Sequence, residues 1–163
     1  MSDLFAGVRD DIADALDALL PTHSDIAQPM VDAMRHAVLG GGKRMRPLMA
    51  CAACEAFSGS FKAALPAACG LEFIHAYSLI HDDLPAMDDD ELRHGQAATH
   101  VAFGEANAIL AGDSLHSLAF QSLAEAPGLS QAAKLRCITL LSTAAGWPGM
   151  AGGQCLDIAA EGE

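Results

Sequence analysis

An all-α fold is predicted by three features of this 163-residue sequence. Apolar residues recur at helical spacing in segment after segment. No window shows the period-two alternation, rich in β-branched and aromatic residues, that marks a strand. Alanine, cysteine, serine and glycine dominate the helix interiors, above all from Ala106 to Ser117, which lets helices pack closely around a central space.

Leu4, Val8, Ile12, Leu16 and Leu19 line one face of a first helix whose other faces carry Asp10, Asp11, Asp14 and Asp17, and Pro21 stops it. Ile26, Met30, Ala33, Met34, Ala37 and Val38 repeat the period up to Gly40, which is placed as a carboxyl cap. Pro47 suits the first turn of a third helix, which runs through an alanine-rich stretch to Phe57 and breaks at Ser58 and Gly59. The fourth starts near Pro66 and runs through Leu71, Ile74 and Leu79 into an acidic cluster. Asn107 to Ala126 forms the fifth, closed by Pro127 and Gly128; Gln131 to Ala145 forms the sixth, closed by Gly146, Trp147, Pro148 and Gly149. After Trp147 the character changes to glycines, a polar pair in Gln154 and Asp157, no capping end, and an abrupt stop that suggests more protein follows. No internal repeat or linker interrupts residues 1–163, so a single helical domain is expected.

A hydrophobic content of 52% supports a sizeable core. The net charge of -12, with only nine Lys and Arg, argues against a nucleic-acid surface, which needs a broad basic face. Lys43, Arg44 and Arg46 concentrate three of those nine cations in one loop, which points to a small polyanion. The five cysteines (Cys51, Cys54, Cys69, Cys137, Cys155) lie mostly among alanines and leucines, as buried small hydrophobes do in a reducing compartment. Cys51 and Cys54 form a C-x-x-C without the second pair of a zinc site. The amino terminus lacks a cationic region followed by an apolar core, and no apolar run approaches the ~18 residues of a membrane span. A cytoplasmic protein is expected.

Six carboxylates, Asp82, Asp83, Asp88, Asp89, Asp90 and Glu91, crowd the stretch HDDLPAMDDDELRHG before Arg93. Clustered hard oxygen ligands are the usual means of holding magnesium against substrate phosphates. The plainer reading is a solvated acidic turn. His75, Ser78 and Asp82 are spaced three and four apart, which stacks them on one helix face. Asp82 and Asp88 would point about 240° apart around an ideal helix, but Pro85 removes a backbone donor, and a bulge absorbing two residues would turn both carboxylates into one cavity. In GGGKRMRP, glycines permit close approach to phosphate oxygens while Lys43 and Arg46 pair with them; a helix cap with surface cations is the alternative. The order of residues is not that of a P-loop.

Taken in order, GGKRMRP, IHAYSLIHDDLPAMDDDELR, FGEANAILAGD and GGQCLD resemble a bacterial short-chain trans-prenyl diphosphate synthase of the farnesyl type. The resemblance implies an isoprenoid-synthase helical bundle with a central cavity, of which this chain carries the first half. It implies that Asp82 and Asp88, with Asp83 supporting, hold magnesium against the diphosphate of an allylic substrate, and that Arg93 binds the same diphosphate. Lys43, Arg46 and His75 would bind isopentenyl diphosphate. The implied chemistry is metal-assisted ionisation, attack of the isopentenyl double bond on the allylic cation, and loss of a proton, in an apolar pocket that excludes water. A homodimer is implied as well.

Tyr77 and Ser78 lie five and four residues before Asp82, about one helical turn deeper, where a bulky Tyr77 would stop a growing prenyl tail near farnesyl length; ordinary core packing is the other role open to it. Two departures stand out. His94 occupies the place where the family commonly has a second arginine, and histidine offers a weaker, pH-dependent charge toward isopentenyl diphosphate. The family's second aspartate-rich motif and a downstream lysine have no counterpart, so the chain alone is expected to condense substrates poorly. A non-catalytic partner subunit derived from such a synthase is the alternative; a terpene cyclase would have no use for the Lys43 and Arg46 loop.

Overall fold

The computed structural model describes residues 6–58 and 60–160; the expected place of Leu4 in the first helix, the break at Gly59 and the acidic close at Glu161 and Glu163 lie outside them. The all-α expectation holds. Helix α1 (Ala6–Leu19) buries Ile12 and Leu16, and Leu20 just beyond its end continues the four-residue spacing, while Leu19 turns partly outward. Helix α2 (Gln28–Leu39) carries Pro29 in its first turn, where a missing N–H costs nothing, and buries Val31, Ala33, Met34 and Val38. Ile26, expected on that apolar face, precedes the helix and is 97% exposed, because Ser24 Oγ accepts from the Ala27 amide and holds the chain in a turn. Arg35 Nη2 donates to Asp17 Oδ1 at 2.5 Å and ties α2 to α1.

Helix α3 (Met45–Ser58) is followed by a 3₁₀ turn (Phe61–Ala64) that feeds helix α4 (Leu65–Asp82). Helix α4 is the centre of the bundle: Ala68, Cys69, Gly70, Glu72, Phe73, Ile74, Ala76 and Ile80 are buried, so apolar residues surround it and no single stripe exists. Phe61–Asp82 is long and apolar enough to cross a membrane by length and composition alone, a longer run than the sequence reading recognised. Half of its most apolar stretch is buried in the fold, and its Glu72 pairs with Arg44, so the central position accounts for the composition.

A two-stranded antiparallel hairpin, β1 (Leu92–Arg93) and β2 (Gln96–Ala97), corrects the expectation that no strand would form. Its two-residue turn has φ of 54° at His94 and 81° at Gly95, the positive pair of a type I′ turn, which glycine tolerates without steric cost. Helix α5 (Thr99–Phe103) leads at Gly104 into helix α6 (Glu105–Ala124), whose Ala108, Ala111, Gly112 and Ala119 bring it close along α4. Helix α7 (Gln131–Ala145) opens on Ser130, whose Oγ accepts from the Ala133 amide at 3.2 Å. Only Leu141 and Ala145 of α7 are buried. The glycine-bearing stretch after Trp147, to which the sequence assigns no element, is helix α8 (Met150–Ala160), and none of its residues is buried. Trp147, Leu156 and Leu135 stay largely exposed at this end of the molecule.

Candidate active site

The acidic run is organised by the end of α4. Pro85 does not bend the helix, as the sequence reading expected; the helix closes at Asp82 and the next residues turn back on it. Leu84 C=O accepts from the amides of Met87 and Asp89, and the Asp88 amide donates to Asp82 C=O at 2.8 Å. Asp82 and Asp88 therefore come together, by termination and reversal of the chain. Burial, and then the Asp88 carboxylate beside it, hold the Asp82 carboxyl above the ordinary carboxylate range. Asp88, Asp89, Asp90 and Glu91 are exposed.

Asp83 departs from this group. It is 2% exposed, and Arg93 donates to it through Nε at 3.0 Å and through Nη2; Nη2 also reaches Asp90 Oδ2 at 3.1 Å. Successive helical residues differ by about 100° in direction, so Asp83 points away from the face that carries Asp82. Its hydrogen bonds, with the added pull of the neighbouring carboxylates, raise the already high pKa of Arg93. The structure thus gives Asp83 and Arg93 each other as partners, where the sequence reading assigned one to a metal and the other to a diphosphate. Among the described residues no group of three or more His, Cys, Asp and Glu gathers to hold a metal ion.

Asp82 lines an open cavity of about 590 Å³ with Tyr77, Ser78 and His81 of α4, Leu84 and Met87 of the turn, Ile109 of α6, and Met150, Gln154, Cys155 and Ile158 of α8. Tyr77 and Ser78 thus share one space with Asp82, on a wall that is mainly apolar. The Tyr77 ring stands edge-on between His81 and His116, with centroids 5.0 Å away in each case, and His116 stands edge-on to Phe120 at 5.1 Å. Gly112 makes room for His81: a Cβ there would lie 2.4 Å from the imidazole Nε2, which is 3.2 Å from Ile109 C=O. His81 was legible from its four-residue offset to Tyr77. His116 and Ile109 were not, because nothing local shows that α6 faces this part of α4.

Lys43, Arg46, His75 and His94 line a second cavity of about 420 Å³, with Gly42, Arg44, Glu72 and Leu79. Four of the residues expected at isopentenyl diphosphate are therefore brought together from three parts of the chain. Lys43 and Arg46 are exposed, and the Arg46 guanidinium is 3.3 Å from His75 Nε2. Burial, and then Arg46, lower the His75 pKa, so at neutral pH the ring is neutral and Nε2 accepts from Arg46. Arg44 plays another part: it is left-handed at φ 51°, with Nη1 2.6 Å from the buried Glu72 carboxylate and Nη2 2.5 Å from Val38 C=O. That pair fixes the loop and leaves Lys43 and Arg46 facing the cavity. A hollow of about 30 Å³ bordered by Asp83, Arg93 and His94 adjoins the cationic cavity at His94 and Leu79.

Cys51 and Cys69 are core residues, with burial pushing the Cys69 thiol up to about 12 and Cys51 upward as well; Cys54 Sγ donates to Ser60 C=O at 3.3 Å. Of the five cysteines expected as buried small hydrophobes, Cys51 and Cys69 are buried, Cys54 and Cys137 are half-buried and Cys155 is exposed.

Residues 27–163 match the sequence profile of the polyprenyl synthetase family. Farnesyl diphosphate synthase of Escherichia coli is 51% identical over 137 residues, which cover 83% of this chain and 46% of that protein. The heterodimeric geranylgeranyl pyrophosphate synthase large subunit 1 of Arabidopsis thaliana is 46% identical over 151 residues, 91% of this chain and 40% of that protein. The crystal structure of an FPP/GFPP synthase from Zymomonas mobilis superposes with a TM-score of 0.93 at 43% identity, over 98% of this chain and 58% of that one. The chain spans less than half the length of those two curated relatives, and with the match extending over most of its residues it belongs to the polyprenyl synthetase family.

Proposed function

We propose that the chain supplies the substrate-binding half of a trans-prenyltransferase that condenses isopentenyl diphosphate with dimethylallyl or geranyl diphosphate to farnesyl diphosphate. The observation that carries this reading is the pair of cavities at the end of α4, one cationic and one with an acidic mouth over an apolar wall. Lys43 and Arg46 would pair with the diphosphate of isopentenyl diphosphate, with His94 and the neutral ring of His75 as further hydrogen-bonding partners. The allylic diphosphate would lie at Asp82 and Asp88, with Arg93 near the same charges and the hydrocarbon tail running along Leu84, Met87 and Ile109 toward Tyr77.

Magnesium suits the donors present. The Asp82 carboxyl, held up by burial and then by the Asp88 carboxylate beside it, would gain from a cation there, and the two residues would offer it hard oxygens. When bound, the ion supplies neutralising charge to the departing diphosphate. In the reaction the allylic C–O bond breaks, the isopentenyl double bond forms the new C–C bond, and a proton is lost. The chain's own residues hold both diphosphates and keep water from the cation with an apolar wall. The same reading takes the complete enzyme as a cytoplasmic homodimer.

A chimera tests the assignment: residues 27–163 of this chain joined to the remaining part of the Escherichia coli relative, assayed with isopentenyl and geranyl diphosphates and magnesium. Farnesyl diphosphate formation that is lost with Asp82→Ala supports the proposal. Turnover that survives Asp82→Ala refutes it. Calorimetric binding of isopentenyl diphosphate to the 163-residue chain, weakened by Arg46→Gln, tests the cationic cavity separately.

A further inference from the structure

We infer that Asp83, although it belongs to the acidic run, is a positioning residue and not a metal ligand: it anchors Arg93 and so sets the hairpin that presents Arg93 and His94 to the two diphosphate sites. This rests on the reading given under Proposed function. Three observations carry it.

Asp83 and Asp82 are neighbours in sequence but border different spaces, the small hollow beside the hairpin for Asp83 and the large open cavity for Asp82. The Asp83 carboxylate is almost wholly buried and already holds the Arg93 guanidinium by Nε and Nη2. To reach a cation in the open cavity it would have to give up both bonds to Arg93, whose guanidinium would keep only the exposed Asp90.

The third observation is what the pair holds. Arg93 is the last residue of β1, and the next residue, His94, is left-handed and lines the cationic cavity with Lys43 and Arg46. Its ring is directed there by a turn whose near end is pinned by Asp83. The far end is pinned separately, where the His36 ring meets Ala97 C=O at 2.9 Å. A two-residue turn with both ends fixed has little freedom, so one buried carboxylate sets the direction of two adjacent side chains toward two sites. Arg93 also keeps a second acid, Asp90, at 3.1 Å, which leaves part of its guanidinium available when an anion displaces that exposed partner.

The test uses the 163-residue chain and its D82N, D83N, R93Q and D83N/R93Q variants, with Mn²⁺ affinity read by electron paramagnetic resonance and inorganic pyrophosphate affinity by calorimetry. D83N is expected to leave Mn²⁺ affinity within about two-fold of the parent, whereas D82N weakens it by about ten-fold or more. Pyrophosphate affinity is expected to fall about ten-fold in D83N and in R93Q alike, with the double variant no weaker than R93Q because Asp83 acts through Arg93. The Arg93 Nε–H resonance should move in D83N, and the double variant, which removes both members of the pair, keeps the comparison valid if D83N folds poorly. The inference is overturned if D83N weakens Mn²⁺ as much as D82N does, if the double variant loses the product of the single effects, or if the Arg93 resonance stays in place. A silent D82N removes the metal reading of Asp82 instead, and the resonance and the double variant still decide Asp83.

Discussion

Glu72→Ala should destabilise the chain more than any surface substitution, because it strands the Arg44 guanidinium. The carboxylate is 2.6 Å from Arg44 Nη1, with side-chain exposures of 6% for Glu72 and 14% for Arg44, so neither charge can recover full hydration when the other is removed. Arg44 has a second bond to Val38 C=O, but a carbonyl dipole does not neutralise a buried cation. Breaking such a pair costs about 3–5 kcal/mol, which at about 2–4 °C per kcal/mol for a chain of this size lowers Tm by about 6–20 °C. Glu72→Gln retains an acceptor and should lose about 1–3 kcal/mol. Circular dichroism melts and urea titrations measure both. Replacing the two residues together, by Arg44→Met and Glu72→Leu, should recover much of the loss, since it is the unpaired charge that destabilises. An E72A variant within 1 kcal/mol of the parent, or a double variant no better than the single, refutes the reasoning.

Asp82→Asn should raise Tm in metal-free buffer at neutral pH: the folded-state pKa of Asp82 is raised, so its ionisation opposes folding above the carboxylate range, and the gain should vanish as pH falls through that range. The opposite sign applies to His75, whose folded pKa is lowered. As pH falls through about 6.5 the unfolded chain takes up the proton first, so the parent loses stability there, and His75→Asn should flatten that part of a Tm-against-pH curve. In the chimera, Tyr77→Ala should extend products past fifteen carbons, read by chromatography of the dephosphorylated alcohols; an unchanged profile removes Tyr77 from the floor of the cavity.

Much of the fold was legible because the helices obey local rules. Gln131 to Ala145 agrees at both ends, since Ser130 caps one and the Gly146 turn closes the other. The α8 segment was not legible: its glycines lower intrinsic helix propensity, and none of its residues is buried in the structure to show a face. The hairpin escaped notice because its strands are two residues long, too short for alternation to register, and only Gly95 in a two-residue turn signalled it. At the site, Asp82, Tyr77 and Ser78 share a cavity as helical spacing suggested, Asp88 meets Asp82 through the turn and not through a bulge, and Lys43, Arg46, His75 and His94 meet as the charges suggested. Nothing in the sequence set Asp83, which pairs with Arg93, apart from Asp82. Charge patterning counts acids without direction, whereas the helix turns each successive side chain by about 100°, and a carboxylate on the inner face needs a cation partner.

That distinction explains how a chain this acidic keeps a cationic cavity. Its loops place three non-glycine residues, Arg44, Asp89 and His94, in left-handed backbone, a conformation that costs about 1–3 kcal/mol each. Such strain persists only when its surroundings determine it, and for Arg44 and His94 the determinant lies next to the strained residue. Arg44 is itself held by Glu72, and His94 follows Arg93, which is held by Asp83. One anchoring acid projects from α4, the most deeply packed helix, and the other is its carboxyl cap, so the rigid core sets the position of two surface loops. Each anchoring acid takes one cation out of circulation, and among the described residues Lys43 and Arg46 are left without an ion pair, facing the cavity. The buried acids of α4 fix the backbone, the exposed cations are kept for the ligand, and exchanging these roles by moving a carboxylate one residue along α4 should disable the site while leaving the net charge unchanged.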